Sequence, residues 1–437
     1  MLWRDHAPAP DARRRPARFA PRDPAHYPPA SWDPLDELVR GTHARGLFLL
    51  LSPTPPAPAW ASRCRGSLQR RRLCRPGGRE YGAFVTALGR RYSGAYADEN
   101  QGGGTLPRVD RWSFGNEPNQ ATWLRPQFAR RAGTTYAAAA VTYRRMVLAA
   151  IRALRASGHR GDQMLLGETS PIGRTTGRLA VRSVPPAAFV RTLLCLGARR
   201  GRAAALRGCT RPRRLRVTGF AHHPYPRGGS APPRTRGDRA TEITLASAGR
   251  LERLLDAGAR RGRVPARLPI HFTEHGFQTD PPDAAFGVPL ARQAEYVNES
   301  DWLAFRNPRV RTVAQYKLAD DPAIASFQSG LRFAGGAPKP AYDAYRLALW
   351  VARRGPARLR VYGQVRPLAA GATAPVEIQN ARLAGGPFRT VRTIATRSRN
   401  NTFLTTLPRR EGRWRLRWTP PAGGPPLLSR AAVAPAR

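Results

Sequence analysis

Residues 111–119 read Arg111-Trp112-Ser113-Phe114-Gly115-Asn116-Glu117-Pro118-Asn119, a short run with apolar Trp112 and Phe114 that ends in an Asn-Glu pair and is stopped by a proline. Proline has no N–H for a sheet ladder, so a strand here ends before Pro118 and leaves Glu117 at its C-terminal tip. Working outward, five more strand-length apolar runs lie at 46–52, 163–168, 216–222, 269–274 and 310–316. Helical patterns separate or follow them at 33–45, 79–93, 133–157, 186–198, 240–261, 289–306 and 340–352. Within 133–157, Tyr136, Val141, Tyr143, Met146, Ile151 and Leu154 recur at helical spacing. Repeated strand–helix units make a parallel sheet, either doubly wound or closed as a (β/α)8 barrel. No Gly-x-Gly-x-x-Gly fingerprint marks a dinucleotide site, which favours the barrel.

In such a barrel, chemistry is built at the C-terminal ends of the strands. A second carboxylate stands in that position in Ile270-His271-Phe272-Thr273-Glu274-His275-Gly276. Two carboxyl groups on one rim are what glycoside hydrolysis needs, one to protonate the leaving oxygen and one to act as nucleophile or base.

Asn116-Glu117-Pro118 followed by Thr273-Glu274 three strands later resembles clan A of the glycoside hydrolases, with families 5 and 39 nearest and Asn-Glu-Pro-Asn closer to family 39. The resemblance covers roughly residues 1–352. It implies that Glu117 is the general acid/base, that Glu274 is the nucleophile and that Asn116 bonds the sugar hydroxyl beside the reacting carbon. It also takes in Ala221-His222-His223-Pro224-Tyr225, where it implies a site position for His223 and a hydrogen bond from Tyr225 to the nucleophile. Retaining enzymes hold their carboxyl groups roughly 5–5.5 Å apart, and that separation is the expectation for Glu117 and Glu274.

Other readings bear on the same residues. Glu117 also suits a helix N-terminus, and Glu274 also suits a buried structural pair. His222, His223 and Glu274 contain metal-ligating types, but neighbouring residues of a strand face opposite ways, so no metal is expected. Glu168, ending Leu165-Leu166-Gly167-Glu168, is a third rim carboxylate and a candidate for binding substrate. Trp60, Trp123 and Phe277 follow strand ends, where an aromatic face stacks on a sugar.

If Glu117 ends the fourth strand of a barrel, one strand is missing before it. Leu2-Trp3-Arg4-Asp5-His6-Ala7-Pro8 then reads as the end of the second strand. The expected architecture is an N-terminally truncated (β/α)8 TIM barrel with about seven βα units over 1–352, with a gap or exposed edge beside 46–52 or 310–316. A start codon placed too far downstream, or a truncated gene, accounts for this. Near Gly355-Pro356 the pattern changes to alternation. Trp414, Leu416 and Trp418 oppose Arg413, Arg415 and Arg417, and short strand patterns recur, which predicts an all-β sandwich accessory domain over 357–437.

The formal net charge of +46 suggests nucleic acid at first sight. The chain has only two lysines, Lys317 and Lys339, which leaves 72 arginines among 74 basic residues. Arginine, alanine, proline and glycine all have GC-rich codons and are spread along the chain, so genome composition accounts for the charge without a nucleic-acid partner. No Gly-Lys-Ser/Thr loop, no Gly-x-Ser-x-Gly elbow and no apolar run of membrane-spanning length is present. Cys64 and Cys74, and Cys195 and Cys209, form two local pairs that predict disulfides, hence an extracellular or cell-surface setting, although the N-terminus lacks a signal-peptide core. The sequence thus predicts a monomeric retaining O-glycoside hydrolase that acts on a carbohydrate substrate and needs no cofactor. A non-catalytic carbohydrate-binding relic is the alternative.

Overall fold

The computed structural model describes residues 1–437 except 132, 178–181, 197–208, 210–211, 370–371, 397–399, 422 and 435–437. The described chain packs into two compact units. One comprises Met1–Pro224, Arg236–Thr273 and Arg309–Thr312, and the other comprises Tyr225–Thr235, Glu274–Pro308 and Val313–Arg437.

The first unit is built on a parallel sheet, whose last two strands run on into the second unit after Thr273 and Thr312. Its strands are β1 (Leu50–Leu51), β2 (Arg111–Ser113), β3 (Gln163–Thr169), β4 (Gly219–His222), β5 (Ile270–His275) and β6 (Val310–Gln315), hydrogen-bonded in that order. All six lie within the apolar runs or one residue beyond them; β3 and β4 are buried along nearly their whole length, as in a parallel sheet covered on both faces, whereas β6 is half-buried to exposed. Leu50 pairs with Arg111, Ser113 with Leu165, Leu165 with Gly219 and Phe220 with Ile270. The connecting helices include α1 (Asp33–Ala44), α2 (Gly78–Arg91), α3 (Ala138–Ala156), α4 (Pro186–Leu193) and α5 (Gly249–Arg260). The arrangement is an open α/β sheet of the barrel type, with six strands where about seven were expected. Leu2 contributes one parallel bridge to Thr54, just past β1, and the chain then turns into a short helix at Trp3–His6. The apolar side chain that suggested a strand there, Trp3, is fully buried against Phe84 and Tyr81 instead.

Three helix boundaries differ from the sequence expectation, and one of them is the helix predicted over 240–261, which begins only at Gly249. The helix predicted over 133–157 begins at Ala138, because Thr134–Ala137 pairs antiparallel with Phe128–Arg131; Thr134, Thr135 and Tyr136 suit a strand better than a helix. The helix predicted over 340–352 is α7 (Pro340–Arg346) followed by a strand, β7 (Leu347–Arg353). Leu347, Leu349 and Val351 alternate into a β-sheet core, and that burial outweighs the helical pattern of the segment.

The second unit holds α6 (Leu290–Phe305), α7 and the C-terminal sheets. The strands β8 (Arg358–Val365), β9 (Pro375–Ala381), β10 (Arg389–Ala395), β11 (Thr402–Pro408) and β12 (Arg413–Trp418) match the alternating segments. β7, β8 and β11 form one antiparallel sheet, and β10, β9 and β12 form the core of the other. Leu359, Val361 and Phe403 from the first sheet share one buried core with Ile378, Trp414 and Leu416 from the second, which is the layer structure of a sandwich. Both cysteine pairs are bonded, with Cα atoms 5.9 Å apart for Cys64–Cys74 and 5.5 Å for Cys195–Cys209. Among the described residues no helix is long and apolar enough to cross a membrane.

α1 and α2 are locked together by a buried ion pair. The Arg91 guanidinium donates from Nε to Asp36 Oδ1 at 2.9 Å and from its second fork nitrogen to Asp36 Oδ2, and Tyr92 Oη donates to Asp36 Oδ1 at 2.8 Å. Both charged side chains are out of solvent; Arg91 has a second carboxylate in Glu99 at 2.8 Å, whereas Asp36 has no other cation among the described residues, so removing Arg91 leaves Asp36 uncompensated. Arg91→Ala is therefore expected to lower unfolding free energy by about 3–5 kcal/mol in urea titrations. Exchange of a fully exposed ion-pair partner such as Glu411 is expected to change it little.

Candidate active site

The tip of β2 is held by backbone geometry. Gly115 takes a φ of 85° and Glu117 a φ of 36°, so the chain turns out of the strand at once. The Glu117 N–H donates to the carbonyl of Glu168 at 3.0 Å, which joins this turn to the tip of β3. The Asn116 N–H donates to Thr54 Oγ1 at 3.1 Å, which joins it to the segment after β1. Asn119 is fully buried: its amide nitrogen donates to the Val184 carbonyl at 3.0 Å, and its amide oxygen accepts from the Ser170 N–H at 2.8 Å. The second asparagine of the Asn-Glu-Pro-Asn string is thus a brace for the loop, and its side chain is consumed in holding backbone.

β3 reaches the rim through a bulge. Its register with β4 shifts between Gly167 and Thr169, so Glu168 is the extra residue, with a φ of 55°. Gly167 is required next to it. A Cβ there would lie 2.3 Å from the Ala221 carbonyl oxygen, and φ is 117°. The buried Tyr143 hydroxyl accepts from the Gly167 N–H at 2.9 Å, so the helix α3 also supports the bulge. The bulged Glu168 is largely buried and accepts from Ser52 Oγ at 3.0 Å. Sequence reasoning did not find Ser52 or Tyr143 as supports, because neither belongs to a motif and each reaches its partner through tertiary packing.

The two histidines at the end of β4, its last residue His222 and the following His223, diverge as strand alternation predicts. His222 points into the core, where Nε2 bonds the Ile243 carbonyl at 2.8 Å and Nδ1 bonds Thr169 Oγ1 at 2.8 Å. The carbonyl can only accept, so Nε2 carries the proton and the threonine hydroxyl donates to Nδ1. His223 points the other way and bonds Glu117 Oε1 from Nδ1 at 3.1 Å. His223 is buried while Glu117 keeps a solvent-facing portion.

In the second unit, Tyr225 Oη donates to Glu274 Oε1 at 2.8 Å, the bond expected of that tyrosine. The Tyr225 ring lies 5.8 Å from that of His275, which is buried and bonded through Nε2 to Ser300 Oγ at 2.9 Å. Burial lowers the His275 pKa to about 4, so a neutral ring supports the tyrosine.

The structure therefore brings Glu117 together with His223 and the backbone of Glu168, and Glu274 together with Tyr225, while Asn116 is held through its backbone N–H. The aromatic candidates fare differently. Trp60 is half-buried, with its indole N–H on the Pro8 carbonyl at 3.2 Å and its ring edge-on to Trp3 and Phe19. Trp123 is half-buried in the turn after β2. Phe277 is buried against His275 and Tyr296 and leaves no face for a sugar; its strand-end position serves a small apolar cluster with Val288. Among the described residues, no group of His, Cys, Asp or Glu side chains is arranged to hold a metal ion.

No family model matches this chain, and no curated protein sequence does. Among solved structures it is similar to an FMN-binding beta-glucuronidase from Facaelibacterium prausnitzii L2-6, at 9% identity and a TM-score of 0.38 over 90% of this chain and 48% of that one. It is also similar to beta-glucuronidase 2 of Bacteroides uniformis, at 12% identity and 0.41 over 94% and 40%. A GH128 endo-beta-1,3-glucanase from Amycolatopsis mediterranei, solved with laminaritriose, aligns at 20% identity and 0.28 over 54% and 71%. The chain spans less than half the length of either glucuronidase.

Burial lowers the His222 pKa to about 3, whereas a histidine in the unfolded chain protonates near 6.5. Its contribution to stability is complete above about pH 6.5 and is lost as the pH falls toward 3, by about 1.4 kcal/mol per pH unit. His222→Gln removes this titration, and the slope of unfolding free energy against pH between 6.5 and 4 should flatten by about one proton relative to the parent protein. Chemical denaturation across that range checks it.

Proposed function

We propose that this protein is a retaining O-glycoside hydrolase in which Glu274 is the nucleophile and Glu117 the general acid/base. The observation that carries the reading is that each glutamate, at or just beyond the C-terminal end of a parallel strand, has its own hydrogen-bond donor from the segment His223–Tyr225. A donor on each carboxylate fixes the orientation of the group. In the first step a Glu274 oxygen attacks the anomeric carbon while Glu117 gives its proton to the departing glycosidic oxygen. In the second, Glu117 takes a proton from water, which displaces Glu274 and restores the free enzyme. His223 positions Glu117 and Tyr225 positions Glu274. Asn116 and Glu168 bind sugar hydroxyls, and Trp60 and Trp123 supply apolar faces.

In this reading the catalytic domain covers 1–352 as an incomplete (β/α)8 barrel and 357–437 is an accessory sandwich. The protein acts as a monomer on a carbohydrate outside the cell, where its two disulfides persist. No cofactor takes part in either step.

Glu274→Gln is expected to abolish turnover of aryl glycosides, since no nucleophile remains. Glu117→Ala should slow substrates with poor leaving groups by about 10²–10⁴-fold and activated aryl glycosides far less. Added azide should then restore turnover and yield a glycosyl azide. Product formed with retained anomeric configuration, followed by NMR, completes the test. Inverted product, or full activity in Glu274→Gln, defeats the mechanism; sugar binding without turnover by the parent protein identifies a non-catalytic carbohydrate-binding protein instead.

A further inference from the structure

The outer face of α2 and α3 carries a second feature, away from any residue assigned above. Small residues let the two helices approach closely: a Cβ on Gly82 would lie 2.9 Å from that of Ala149, and one on Gly78 would lie 3.1 Å from the Arg145 carbonyl oxygen. Above this seam runs a groove of about 670 Å³, within the range of about 300–1,000 Å³ usual for ligand sites. Eight arginines and no carboxylate line it. Arg145 and Arg152 stand two turns apart on α3, and Arg79 and Arg90 about three turns apart on α2, so both walls present guanidinium groups along the groove.

The absence of carboxylates from the lining distinguishes this face. Elsewhere in the same unit, arginines find acids: Arg40 pairs with Asp98, Arg91 with Asp36 and Arg309 with Asp256. Among the described residues no carboxylate pairs with the exposed Arg75, Arg79, Arg90 or Arg152. Like charges aligned along a concave surface repel one another and concentrate a positive potential there, which an anionic chain relieves.

We propose that this groove binds a linear polyuronate, an acidic polysaccharide whose carboxylates recur along the chain and meet the guanidinium forks in bidentate pairs. The choice of a glycan rests on the glycosidase reading and on the lining itself. A single-stranded nucleic acid is held by aromatic side chains stacked on its bases, and no aromatic residue lines this groove. The groove serves to anchor the polymer and takes no part in bond cleavage.

The test compares the full-length protein with R79Q/R145Q/R152Q and with a control of equal charge change, R382Q/R389Q/R392Q, on exposed positions of the sandwich. Binding of polygalacturonate fragments is measured by titration at two salt concentrations. The groove variant should bind about tenfold more weakly and with a shallower salt dependence. The control should match the parent, and a neutral glucan of equal length should not bind. Equal losses in both variants would show attraction to net charge alone and overturn the proposal. So would no loss in either, or tighter binding of a single-stranded oligonucleotide that the groove substitutions weaken equally. Turnover of small aryl glycosides, assayed in parallel, should be the same in the groove variant and the parent. Groove-dependent binding without any turnover would defeat the hydrolase reading and leave the groove standing.

Discussion

One hydrogen bond organises the rim of the parallel sheet, from the Glu117 N–H to the Glu168 carbonyl at 3.0 Å. Neither residue is in regular strand conformation. Both have positive φ, which costs a non-glycine residue energy unless its surroundings compensate. The compensation is visible on every side: Gly167 gives the bulge its room, Tyr143 takes the freed N–H, and Asn119 ties the turn after β2 to Ser170 and Val184. The strain at Glu117 is therefore maintained by a network of buried polar bonds, and it aims a carboxylate out of the rim instead of along the strand.

The same region shows how burial assigns different work to like residues. His222 and His223 are neighbours, yet one lies in the core with both ring nitrogens committed and the other meets a carboxylate. Desolvation keeps His222 and His275 neutral, so each serves as a fixed hydrogen-bonding plate behind the residues at the rim. A charged ring at either place would raise the cost of burying the strand ends.

The excess of arginine is handled in two ways. A buried guanidinium is held either by an acid, as Arg91 is by Asp36, or by backbone carbonyls, as Arg144 is by those of Leu193 and Arg213. With 28 acidic residues against 74 basic ones, most arginines have no such partner and remain at the surface. Surface charge of one sign is tolerated where side chains can spread into solvent. On the face of α2 and α3 the close helix packing gathers them along one groove instead, and composition alone does not determine that placement.

The sequence by itself determined the local features. Alternation and apolar runs located the six parallel strands and the five sandwich strands β8–β12 within a few residues, because period and burial are properties of adjacent residues. Strand-end glutamates and the opposite facing of His222 and His223 were legible for the same reason, whereas the tyrosine on Glu274 was expected only from the family resemblance. Only the tertiary structure decided what depends on distant partners. It turned 347–353 into a strand, since β8 offers a pairing edge and a core. It buried Phe277, placed Trp3 in an aromatic cluster instead of a strand, and made Ser52, Tyr143 and Asn119 the supports of the rim. Those outcomes turn on which surfaces of separate elements meet, and no pattern within one element encodes that meeting.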